Sequence, residues 1–197
     1  FHDDDDSWEP EFLERTLAHL DAHPDEVGVA TRCTVVWEEI VDGTVRELRR
    51  EVLSDGMTRV GFIATLTQNS TPPICLVLRR SAYDEAGGYD PTLTALADWE
   101  LLLRVLRLGR IGLVEGEPLA LWHRRDGQAG DAGNSVHAEQ HVHDRFNETI
   151  RDDYLRRSLD DDARLGNALF VTALHDRTRA DIAAVQQHLG AIASHMD

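Results

Sequence analysis

Apolar residues in the first stretch of the chain return at helical spacing, with Phe12, Leu13, Leu17 and Leu20 on one stripe. Ser7 is suited to cap such a helix and Pro10 to sit in its first turn, so the pattern predicts a helix over residues 8–23, stopped at His23-Pro24. The period then changes. Residues 27–40 carry Val27, Val29, Val35, Val36, Trp37 and Ile40 and read as β-rich. Asp42-Gly43 is a hairpin signal, and residues 44–52 alternate as the return strand. A short helix fits residues 58–68. Pro72-Pro73 introduces the apolar run 74–78, which reads as a central strand. Ser81 can cap a helix over 82–86 that Gly87-Gly88 stops, and Asp98 opens a strongly apolar helix ending at Gly109. Residues 111–114 and 119–123 read as two further strands.

A stretch rich in Gly, Ala and Asp, residues 126–134, then interrupts the pattern. From 135 onward it is helical, over about 135–158 and 162–195. Ile182, Val185, Leu189 and Ile192 keep a heptad-like spacing, so the last helix can pack on the body or self-associate, and the stripe favours packing on the body. The expected class is α/β, a mixed sheet flanked by helices over residues 1–134, followed by a C-terminal helical extension over 135–197.

Charge narrows the partners. The 197 residues carry a formal net charge of −16, and every base is Arg, with no Lys in the chain. Such a balance argues against nucleic acid as a partner, because no cationic excess is present to displace counterions. No apolar run approaches the length needed to span a bilayer, and no signal peptide is evident. Cys33 and Cys75 lie in apolar, strand-like runs, and two buried thiols in a reducing cytoplasm are expected rather than a disulfide. The chain opens at Phe1 in what reads as a strand-to-loop transition, so the expectation is a piece of a longer protein.

Three segments carry candidate chemistry. Asp3-Asp4-Asp5-Asp6 places a run of carboxylates before a helix, where α/β proteins commonly bind ligands and where alternate carboxylates can share a hard divalent ion. Gly87-Gly88-Tyr89-Asp90 is followed by Ala97-Asp98-Trp99-Glu100 at a helix start. The run 119–125 ends in Trp122-His123-Arg124-Arg125. In this order and spacing, the set resembles the family 2 glycosyltransferases, inverting enzymes of the GT-A fold. The resemblance covers roughly residues 1–135 and implies that the nucleotide-binding half lies upstream of this chain.

The roles that the resemblance implies fall as follows. Asp3 matches the carboxylate facing the nucleotide, and Asp5 the one holding Mn²⁺ or Mg²⁺ against the diphosphate of a nucleotide-sugar donor. The all-Asp run leaves this register open by one residue, with Asp4 or Asp6 as the assisting carboxylate. Asp98 matches the general base that deprotonates the acceptor hydroxyl, and a helix N-terminus helps keep it ionised. The family's Glu before that base is Ala97 here. His123 matches a histidine that completes the metal shell, and imidazole suits Mn²⁺ better than Mg²⁺. Arg124 or Arg125 can clamp the departing diphosphate. Among the tryptophans near the motifs, Trp99 is the candidate for the saccharide or other hydroxyl acceptor.

Bland uses compete with each role: Asp98 as a helix cap, His123 as a structural histidine, the Asp run as a solvated turn. His137 and His141 stand at a zinc-like i, i+4 spacing with His143 nearby, but no Glu or Cys completes a known pattern, so surface histidines are expected. The alternative function is a non-catalytic acidic module for binding or oligomerisation through the C-terminal helix. A metal-dependent phosphohydrolase ranks last, for want of a nucleophile signature. The expected location is cytoplasmic, with peripheral membrane association left open.

Overall fold

In the computed structural model, the described residues are 2–53, 55–125, 140–160 and 163–193. The chain divides into two compact units, Phe1–Asn147 and Glu148–Asp197, against an expected division after residue 134.

The first unit is α/β, with two sheets. Strands β1 (Ser7–Trp8), β3 (Cys33–Val41), β4 (Thr44–Leu53) and β7 (Ala120–Arg124) form one sheet in the order β1-β7-β3-β4. Strands β2 (Gly28–Ala30), β5 (Leu76–Leu78) and β6 (Ile111–Leu113) form the other in the order β5-β2-β6. Both sheets are mixed: β3 runs parallel to β7 and antiparallel to β4, while β2 runs parallel to β6 and antiparallel to β5. The flanking helices are α1 (Phe12–Ala22), α2 (Phe62–Thr67), α3 (Arg80–Ala86) and α4 (Ala97–Leu108).

Strand β2 shows how the layers form. Successive side chains of a strand point to opposite faces. Val29 accordingly joins Phe12 and Leu20 of α1 in one apolar cluster, while Ala30 joins Leu101, Leu102, Val105 and Leu106 of α4 in the other. The three-stranded sheet is thus covered by α1 on one face and α4 on the other. Gly28 makes the close approach possible: a Cβ there would sit 2.9 Å from the Val77 carbonyl oxygen on β5. Cys33 and Cys75 are free and buried together in the α1-side cluster, as expected. A hydrogen bond of the Cys75 S–H to Cys33, with burial, pushes the Cys75 thiol well above its ordinary pKa.

The hairpin is where the sequence puts it. Val41 pairs with Thr44, and Asp42 (φ 51°) and Gly43 (φ 76°) both take the positive φ of a type I′ turn. Three expectations need correction. Ser7 does not cap α1, whose first helical residue follows Glu11; Ser7-Trp8 instead pairs with Leu121 and Ala120, because Trp8 stacks on Phe12 and donates from Nε1 to the Ile74 carbonyl at 2.8 Å. Ser81 does not cap α3, which begins at Arg80. Residues 74–78 are not a central strand: Pro73–Cys75 forms a 3-10 turn, and Leu76–Leu78 is an edge of its sheet.

Helix α5 (Gln140–Asp160) crosses the division between the units, and α6 (Ala163–Ala193) lies in the second. In that unit Ile150, Tyr154 and Leu169 are buried, and Arg151 donates to the Leu169 carbonyl. Phe170, Val171, Leu174, Ile182, Val185 and Leu189 are exposed along α6. The loop expected at 126–134 and His137 lie outside the described residues, as do the side chains of His141 and His143.

Candidate functional site

The aspartate run is a turn pinned at its far end. Asp6 donates its backbone N–H to the Asp3 carbonyl, and the pairing of Ser7 with Leu121 fixes the run against β7. Asp3, Asp4 and Asp5 are exposed, whereas Asp6 is half-buried and accepts the His123 backbone N–H at 3.0 Å. Burial, with the charges of Asp5 and Asp3 behind it, raises the Asp6 carboxyl from 3.8 to about 6, against the lowering effect of that hydrogen bond.

His123 is held at both ring nitrogens. Nδ1 lies 2.6 Å from Glu38 Oε1, and Nε2 lies 2.7 Å from Ser7 Oγ. An ionised carboxylate only accepts, so in the neutral ring Nδ1 carries the proton and Nε2 accepts from the Ser7 hydroxyl. Glu38 is 8% exposed and is bound on its other oxygen by Arg125 Nε at 3.1 Å. The parallel register places Val36 beside His123, and Glu38, two residues further along β3, bonds the ring. Glu38, Ser7 and the inward-facing role of Asp6 were not anticipated. The available signal is the pair Glu38-Glu39 inside a largely apolar strand, where the buried one of the two needs a paired charge.

The Gly-Gly turn has its own clamp. Gly87 (φ 86°) ends α3 in the left-handed conformation. Arg104 pairs with Glu100 one helical turn away and donates to the carbonyls of Ala86 and Gly88. Tyr89 follows, and its phenol is pushed up to about 12, first by burial and then by the charges of Asp98 and Asp3. Asp90 is used locally, accepting from the backbone and hydroxyl of Thr92.

Asp98 lies in the first turn of α4 but is not its N-cap residue, which is Leu96. The Asp98 Oδ2 accepts from Asn69 Nδ2 at 2.7 Å, while Asn69 Oδ1 accepts from the Thr71 N–H. A small pocket is lined by Thr71, Pro73, Tyr89 and Asp98, with Leu101 and Leu102 behind. Trp99 does not face it. The ring is 1% exposed, with Nε1 bonded to the Thr65 carbonyl at 2.6 Å, so its faces are packed in the interior and offer nothing to a sugar. Arg124 lies over the rings of Trp37 (4.6 Å) and Trp122 (5.0 Å), and Arg125 is paired with Glu38.

Whether these residues fit a divalent cation turns on the donor set. Among the described residues, the three-donor group converging within 4.8 Å is His19, His23 and Glu26, not Asp3, Asp5 and His123. A hard cation that takes most of its shell from phosphate oxygens and water needs only one or two protein carboxylates, and Asp3 and Asp5 are exposed for that use. A carboxylate on Nδ1 is also the partner that orients a metal-binding imidazole, and Glu38 supplies it. These donors suit such an ion in kind, while the structure does not gather them into one shell. No known family model matches the chain, and no curated protein matches its sequence.

Proposed function

We propose that this chain carries the metal loop, acceptor side and general base of an inverting glycosyltransferase resembling family 2, acting on a nucleotide-sugar donor and a hydroxyl acceptor. The observation that supports it is the small pocket that Asp98 and Tyr89 line together, residues of two motifs of the resemblance. The Asn69 bond holds one oxygen of the Asp98 carboxylate in place. Asp98 takes the acceptor hydroxyl proton as that oxygen bonds to the anomeric carbon. The bond to the diphosphate breaks on the opposite face, and its electron pair leaves with the phosphate oxygen. Bound Mn²⁺ or Mg²⁺ supplies charge neutralisation at that diphosphate; Asp3 and Asp5 would hold it, with His123 Nε2 joining when the Ser7 hydroxyl turns away. Arg124, which lies over Trp37 and Trp122, or Arg125, which is paired with Glu38, would clamp the departing diphosphate.

The test is sugar transfer by the gene's full-length product across a panel of nucleotide-sugars with Mn²⁺ or Mg²⁺. Asp98→Asn abolishes transfer and leaves the fold intact; retained turnover removes Asp98 as the base.

A second reading, a non-catalytic oligomerisation module, draws on the exposed apolar residues of α6. Concentration-dependent sedimentation, lost in Ile182→Glu/Val185→Glu, supports it if no nucleotide-sugar is turned over. No helix among the described residues is long and apolar enough to cross a membrane. Cytoplasmic location, with or without peripheral membrane contact, belongs to the same proposal.

A further inference from the structure

On the α1 side of the three-stranded sheet, away from the carboxylates just described, the last turn of α1 and the turn after it bring two imidazoles and a carboxylate together. His19 and His23 are one helical turn apart, with rings stacked at 4.2 Å, and Glu26 folds back so that its Oε2 lies 2.9 Å from His19 Nε2. One ligand atom from each of the three lies within 4.8 Å of the others. We propose that His19, His23 and Glu26 form a binding site for zinc or a similar borderline divalent metal, with water as the fourth ligand.

Three independent features of the surroundings support a built site. His23 Nδ1 donates to the His19 carbonyl at 2.8 Å, which fixes that nitrogen as the protonated one and leaves Nε2 with its lone pair. Arg79 holds the backbone of the turn, donating to the carbonyls of Leu20, His23 and Glu26 at 2.6, 3.1 and 2.7 Å, so the ligands hang from a fixed frame. On the side of β6, residue 112 is glycine, and a Cβ there would collide with both Glu26 Oε2 and His19 Nε2. The sheet therefore leaves open the space that these two donors occupy.

The chemistry follows from the donors. Two imidazoles and one carboxylate suit zinc, cobalt or nickel better than magnesium or calcium, which prefer oxygen alone. In the metal-free site the His19 Nε2 proton bridges to Glu26. The metal takes its place on Nε2, the ring proton moves to Nδ1 by exchange with solvent so that the imidazole stays neutral, and the gap between Nε2 and Oε2 opens from 2.9 Å by a few tenths of an ångström, to about 3.3 Å for a tetrahedral shell. His23 is exposed and makes the remaining movement. The bound ion ties the end of α1 to the turn entering β2.

The experiment strips the full chain of metal with a chelator, then titrates it with Zn²⁺ against a competing dye and with Co²⁺ as a spectroscopic probe. One equivalent is expected, with the strong visible absorption of four-coordinate cobalt. Zinc at about 100 times its Kd should raise the unfolding midpoint by about 5–10 °C. His23→Ala and Glu26→Gln should each weaken binding about tenfold or more. Asp5→Asn and the double change His137→Ala/His141→Ala should leave it in place. His23 is exposed, so its removal spares the His19–Glu26 pair and an unchanged circular-dichroism spectrum is expected. Binding indifferent to both His23 and Glu26, binding lost with the control variants, or no retained equivalent overturns the proposal.

Discussion

Asp6→Asn tests the electrostatic account of the aspartate loop. The Asp6 carboxyl is raised from 3.8 to about 6, mainly because it is partly buried next to Asp5 and Asp3. A group whose folded pKa exceeds its unfolded one binds its proton more tightly when folded. Its contribution to stability is thus fully present below pH 3.8 and is lost as the pH rises to about 6. Because Asp6 keeps part of its surface in water, solvent screening discounts the shift, leaving about 1–2 kcal/mol. Asparagine is neutral at every pH in this window, and its amide oxygen can still accept the His123 N–H. The variant should match the wild type near pH 3.5 and be about 1–2 kcal/mol more stable near pH 7.5.

The measurement is urea unfolding at both pH values in EDTA, followed by tryptophan fluorescence. All four tryptophans, Trp8, Trp37, Trp99 and Trp122, lie in the first unit, so the signal reports the unit that contains Asp6. Taking the difference between variant and wild type removes the titration of the other carboxylates, provided the sites do not couple. An equal difference at the two pH values, or a variant less stable at pH 7.5, would refute the reasoning.

Other expectations follow from single contacts. Cys33 and Cys75 are buried, and the Cys75 thiol is held protonated, so neither should react with an aromatic disulfide reagent until the chain unfolds; rapid labelling in native buffer would contradict this. Gly28→Ala forces a methyl against the Val77 carbonyl and the Leu78 side chain, and should cost about 1–3 kcal/mol by urea titration. Asn69→Ala leaves Asp98 without its Asn69 hydrogen bond and should lower kcat for sugar transfer about tenfold with little change in KM; a KM effect alone would reassign Asn69 to substrate binding.

Legibility differed sharply between elements. The hairpin was readable because Asp42-Gly43 is a local solution to a local problem: both residues take positive φ, and the strands on either side alternate. Helix α4 was readable from its apolar repeat and Gly109. The extent of α1 was blurred by Ser7, a good capping residue in isolation. What removed it from that role is Trp8, whose stacking on Phe12 and bond to Ile74 are tertiary and leave no mark on local spacing. Strand β5 was misplaced within its sheet for a related reason, since an apolar run records burial but not which neighbours cover it. Trp99 failed as a site residue because an aromatic next to a functional carboxylate looks the same in sequence whether it faces a ligand or the core. Glu38 and Asn69 were invisible as partners: they lie 85 and 29 residues from the side chains they hold.

The same distinction explains why four adjacent aspartates are not equivalent. In the sequence nothing separates them, and any one could be the ligand or the bystander. Pairing of Ser7 with Leu121 breaks the symmetry, because the residue just before β1 is drawn against β7 and accepts the His123 N–H. Asp6 is thereby committed to structure and bears the cost of partial burial, while Asp3, Asp4 and Asp5 stay exposed. Of these, Asp3 also reaches Tyr89 with its charge. The register that was open by one residue thus narrows for a physical reason: the carboxylate already bound to the β7 backbone is the least able to turn toward a ligand. Asp6→Asn and Asp5→Asn should therefore separate cleanly, the first moving stability with pH and the second, on the proposed function, moving the affinity for Mn²⁺ or Mg²⁺ in the presence of a nucleoside diphosphate while leaving zinc binding at His19 and Glu26 unchanged.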